Sequence, residues 1–115
     1  MRKHGYDESR APCRADILRL EDTLRASDIA VASAEASVNY LRAQLTHAHT
    51  QANKLYYKCR YGDTPKEAHP SALEEMEHYL EDFEYALDLW ETATREQSAT
   101  RRELEAARSR LAEHR

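Results

Sequence analysis

Between Ile17 and Cys59 an apolar or small residue returns every third or fourth position for six unbroken heptads. One row is Ile17, Leu24, Val31, Val38, Leu45, Ala52 and Cys59, and the other is Leu20, Ser27, Ala34, Leu41, Ala48 and Leu55. None of the thirteen is charged, although 33% of the chain is. A strict 3.5-residue period of that length marks a coiled-coil seam. Such a helix needs a partner helix along its whole length. Glycine (two) and proline (three) are too scarce to supply the turns of a sheet protein.

The one break lies at residues 62–70, which hold Gly62, Pro65 and Pro70. The expected organisation is therefore a flexible N-terminal segment at 1–11, a helix over 12–61, a loop over 62–70 and a helix over 71–113. Pro12 suits a first helical turn, and Gly62 suits the left-handed residue that often ends a helix. Thr64 with Glu67, and Ser71 with Glu74, have the spacing of capping boxes. His69 precedes Pro70 and is expected outside helical geometry. In the second helix the large residues Leu73, Met76, Leu80, Phe83, Leu87 and Trp90 predict the seam, flanked by Ala72, Tyr79, Ala86, Ala93, Thr100 and Ala107; in the C-terminal half the seam is expected to slide onto this row, as Ala93, Gln97, Thr100, Leu104, Ala107 and Leu111. The fold class is all-α, a long antiparallel two-helix coiled-coil hairpin.

Charge supports the same pairing. Residues 42–61 carry a net +4 and residues 63–92 a net -9, so folding at the loop lays a basic segment along an acidic one. A fold about residue 66 sets Phe83 near Ala48, Leu80 near Ala52 and Trp90 near Leu41. The overall charge of -4 opposes direct nucleic-acid binding. No run is apolar enough for a membrane span. With no apolar segment behind the first basic residues and two cysteines in all, a cytoplasmic location is expected.

Chemistry finds little footing. His47 and His49 point to opposite sides of a helix and cannot share a metal. Cys59 occupies a seam position, where a small buried residue is expected. No nucleophile–base spacing or phosphate loop is present, and the carboxylates sit on a solvated face with nothing to desolvate them. The expectation is a non-enzymatic protein with no catalytic residue, cofactor or metal.

Function is then expected on the surface. Residues 29–52 carry only Glu35 and Arg42 as charges, whereas a two-helix hairpin should be charged over most of its outer face. This predicts a self-association face made by Ile29, Ala32, Ser33, Ala36, Tyr40, Ala93 and Ala99, with Tyr57 and Tyr85 as further contact residues. The expected partner is a second copy, giving a homodimeric four-helix bundle or higher oligomer that serves as a scaffold or adaptor. Another protein with a helical or basic surface is the other candidate partner.

The loop Gly62-Asp63-Thr64-Pro65-Lys66-Glu67-Ala68 resembles in part the acidic hairpin tip of Gre-type transcript-cleavage factors, in which two acids hold a metal in the polymerase channel. Gly62-Asp63 and Glu67 correspond, and Pro65 interrupts the match. That resemblance implies an alternative, a regulator that inserts Asp63 and Glu67 into a nucleic-acid-processing machine such as RNA polymerase. Small secreted helical hairpins carry a Trp-x-Gly turn; here the turn is Arg60-Tyr61-Gly62. Neither likeness assigns a family.

Overall fold

A computed structural model describes residues 13–113. They form two helices, α1 over Arg14–Tyr61 (48 residues) and α2 over Ala68–Glu113 (46 residues), with no strand among the described residues. Neither helix contains an internal glycine, and the one proline, Pro70, sits in the first turn of α2. The expected features at residues 1–12, Pro12 included, lie outside the described residues.

Cys13 caps α1. Its carbonyl accepts from the Asp16 and Ile17 amides at 3.0 and 3.3 Å, and the Asp16 carboxylate accepts from the Cys13 amide at 3.1 Å. An acid in the first turn and Lys58 and Arg60 in the last turn both complement the helix dipole. At the other end the Gly62 amide donates to the Lys58 carbonyl at 2.9 Å. Gly62 does not adopt the expected left-handed backbone. Its requirement is a close approach: a Cβ there would lie 2.8 Å from the Lys58 carbonyl oxygen.

Helix α2 starts at Ala68, three residues before Ser71. The Ala68 amide donates to Pro65 O at 3.1 Å and the Ser71 amide to Glu67 O at 3.3 Å, so the turn at 65–67 runs straight into the helix. His69 and Pro70 are helical after all, because first-turn amides have no intrahelical partner and proline loses no bond there. Neither capping box forms.

The chain divides into two compact units. One is contiguous, residues 32–92. The other is discontinuous, made from residues 13–31 and 93–113. In the contiguous unit the helices run antiparallel: the Arg42 guanidinium lies 5.9 Å from the Phe83 ring centroid, the Tyr56 and His69 rings are 5.4 Å apart, and the Cys59 thiol donates to Pro65 O at 3.1 Å. In the discontinuous unit Gln97 Nε2 donates to Asp28 Oδ1 at 2.7 Å, and Arg108 pairs with Glu21 at 2.7 Å.

All thirteen heptad positions of α1 are buried or half-buried. In α2 the shielded heptad set is His69, Met76, Phe83, Trp90, Gln97, Leu104 and Leu111 with Ala72, Tyr79, Ala86, Ala93, Thr100 and Ala107. From Ala93 onward this is the expected set, and over residues 73–90 it corrects the expected seam. Leu73 and Leu80 stand outside it, 36% and 40% exposed, and the alanine row expected on the flank is the inner one. Small residues let two helix backbones approach, and the large row then fills the space beside them. The register differs as well: Phe83 faces Arg42, six residues from Ala48. The shorter turn, 62–67, moves the fold point toward the N-terminus.

The expected attraction between residues 42–61 and 63–92 is not made of ion pairs. Among the described residues no salt bridge joins those segments. Interhelical bridges occur in the discontinuous unit, Arg108–Glu21 and Arg101–Asp28 at 2.7 and 3.8 Å. The buried core of the described residues is Val38, Ala48, Ala52, Ala86, Leu104 and Ala107, and no large side chain is fully enclosed.

Candidate interaction surfaces

The contiguous unit has two sides, left and right of its seam. Heptad geometry in an antiparallel pair brings the residue before each first-row position of both helices to one side, and the residue after each second-row position to the other. The first side carries Ser37 of α1 and Leu89 of α2. The second carries Arg42, His49 and Tyr56 of α1 and Leu73, Leu80 and Leu87 of α2.

On the first side, Ser33, Ala36, Ser37, Tyr40 and Leu41 line an open groove of about 410 Å³. Ala32 is exposed too, but the position after first-row Val31 turns it toward the second side. The register fixed by Arg42 over Phe83 and Tyr56 against His69 sets Tyr85 level with Tyr40, and Leu89 level with Ala36. Tyr40, Tyr85 and Leu89 are 63%, 67% and 49% exposed. Three large apolar bodies thus surround a patch of alanine and serine. Leu89 was not singled out from the sequence; a leucine outside both heptad rows was its signal.

Tyr57 belongs elsewhere. It lies seventeen residues beyond Tyr40 on the same helix, about 25 Å away. There it stacks on Tyr61 with ring centroids 6.4 Å apart and meets Tyr56 edge-on at 5.2 Å. Arg60 completes the cluster, its guanidinium 5.9 Å from the Tyr56 ring and 5.6 Å from the Tyr61 ring, and its Nη1 donating to Tyr56 Oη at 3.1 Å. The i, i+4 spacings Tyr56–Arg60 and Tyr57–Tyr61 were legible. The participation of His69 depended on the register and was not.

In the discontinuous unit Ile29 is exposed, Ala99 is half-buried, and Ala93 is half-buried in the inner row of α2. A groove of about 420 Å³ there is bounded by Arg19, Leu20, Glu103 and Ala106 among others.

At the turn, Asp63 and Glu67 are exposed and their carboxylates bond to no described residue. No group of three His, Cys, Asp or Glu among the described residues is placed to hold a metal ion. Cys13 and Cys59 are free thiols, and the half-buried Cys59 donates to Pro65. Among the described residues no helix is long and apolar enough to cross a membrane. No family model, curated protein or solved structure matches the sequence.

Proposed function

We propose that this chain is a non-enzymatic protein-interaction module that associates with a second copy through the first side of its contiguous unit, building a four-helix bundle scaffold. The observation that carries this reading is the exposure of Tyr40, Tyr85 and Leu89 around uncharged Ser33, Ala36 and Ser37. Tyrosine brings contact area with little side-chain entropy to lose. Alanine and serine let a second pair of helices come close. A core made largely of alanine, with no large side chain fully enclosed, gains most from such further burial.

Light scattering on the intact chain tests it. Wild type is expected at twice the chain mass or more at tens of micromolar. Ala36→Arg buries an unpaired charge in the contact, at a cost of about 3–5 kcal/mol against the ~8 kcal/mol of a micromolar dimer, and should give the mass of one chain. Glu77→Arg, on the other side of the seam, should not. A monomeric wild type, or an Ala36→Arg variant that stays assembled, refutes the proposal.

A further inference from the structure

The opposite side of the contiguous unit combines features that point to a different occupant. Leu45, Thr46, His49, Met76 and Leu80 line a groove of about 430 Å³. Its floor is seam residues seen from the flank, and its α2 wall is Leu80 in line with Leu73 and Leu87, one heptad apart. Leu73 and Leu80 are exposed. On the α1 wall the Thr46 hydroxyl donates to the Arg42 carbonyl at 2.9 Å. That hydroxyl is satisfied by its own helix, so an apolar occupant leaves it no bond to lose.

Beyond the leucine row the helix turns acidic in register. The next row around α2 is Glu77, Glu84 and Glu91, and the row after it is Glu74, Glu81 and Asp88. Residues 74–91 contain no lysine or arginine, and none of these carboxylates forms an ion pair among the described residues. A solvated helix face ordinarily mixes both signs to relieve like-charge repulsion. Here three leucines spaced over about 21 Å border two rows of one sign only.

We infer that this groove docks a cationic amphipathic helix of another protein, its apolar stripe on Leu73, Leu80 and Leu87 and its Lys or Arg flank on Glu77, Glu84 and Glu91. A second copy fits the site poorly. Self-complementary pairing of this side would bring two sets of the same acids together. The arginines on this side are already engaged, Arg42 over Phe83 and Arg60 with Tyr56 and Tyr61. The cations must come from elsewhere. This inference does not depend on self-association, which uses the other side of the seam.

The probe is a labelled three-heptad peptide with leucine on one stripe and lysine on both flanks, titrated with the full chain and followed by fluorescence anisotropy at physiological salt. Saturable binding is expected. Leu80→Gln and Leu73→Gln, both at exposed positions that leave helicity intact, should each weaken it about tenfold or more. Glu77→Lys with Glu84→Lys should abolish it, whereas Glu75→Lys, on the first side, should leave it unchanged. Equal binding of a scrambled peptide of the same composition would reduce the effect to bulk charge and overturn the inference. So would wild-type affinity in Leu80→Gln, or absence of binding to wild type. A fall in the chain's own mass on Leu80→Gln would show that a second copy fills the groove, and would overturn it as well.

Discussion

Replacing Ala86 by leucine separates the observed seam from the one that leucine spacing suggests. Ala86 is 5% exposed, in the inner row of α2. Leucine adds three carbons at this buried position, where two backbones approach. Elsewhere such insertions cost about 1–3 kcal/mol through off-rotamer side chains and backbone shifts. Helix propensity barely moves, since leucine ranks next to alanine, so the packing term decides the sign. Were Ala86 on a flank, the added methyl groups would cover half-exposed surface and stabilise, at about 0.8 kcal/mol per buried CH₂. Urea unfolding followed by circular dichroism at fixed protein concentration measures the difference. With a slope of about 1.5 kcal/mol/M, a 2 kcal/mol loss lowers the midpoint by about 1.3 M. Ala43→Leu, at an exposed position of α1, is the control and should stay within about 0.5 kcal/mol. An Ala86→Leu chain as stable as wild type, or more so, refutes the alanine seam.

Leu104 is the largest side chain in the buried core, and Leu104→Ala should cost about 2–5 kcal/mol in the same assay; a loss under 1 kcal/mol would place it outside the core. The Thr94 hydroxyl is buried without a hydrogen-bond partner, so Thr94→Val should raise stability by about 1 kcal/mol, and a loss of stability would show that the hydroxyl is bonded. Gly62→Ala drives a Cβ against the Lys58 carbonyl and should lose more than about 1 kcal/mol, detectable as a lower thermal midpoint; an unchanged midpoint would mean the turn relaxes freely.

The fold class and the α1 seam were legible because uncharged residues hold a strict period there for six heptads. In α2 the seam from Ala93 to Leu111 was legible, but over residues 73–90 large leucines signal burial more loudly than alanines, while close helix approach selects alanine. Leu73, Leu80 and Leu87 keep heptad spacing one row away from the true seam, and spacing alone cannot separate adjacent rows. The register escaped for a related reason. Pro70 marked the apparent start of α2, but proline is tolerated throughout a first turn, and this moved the fold point. Opposite net charge along two segments suggested bridges that side-chain geometry does not make. Of the surface residues, Tyr40 and Tyr85 were recognisable as aromatics off the seam, whereas their common level along the unit required the register. The groove between Met76 and His49 combines residues from both helices and had no signal in either one.

The division of the chain into a contiguous and a discontinuous unit sets an order of assembly. Contacts of the contiguous unit begin at a separation of six residues, Cys59 with Pro65, whereas Glu21 and Arg108 in the discontinuous unit are 87 apart. Closing a longer loop costs more chain entropy. Nucleation is therefore favoured beside Gly62, and formation of residues 32–92 shortens the effective loop that the chain ends must close. Opening runs the other way. Native-state hydrogen exchange should show amides of residues 14–31 and 93–113 released at lower free energy than those of residues 38–55, with uniform protection across both sets as the contrary result. Proteolytic nicking in the native state would accordingly start among residues remote from the turn and leave the segment around Gly62 as the last to unzip.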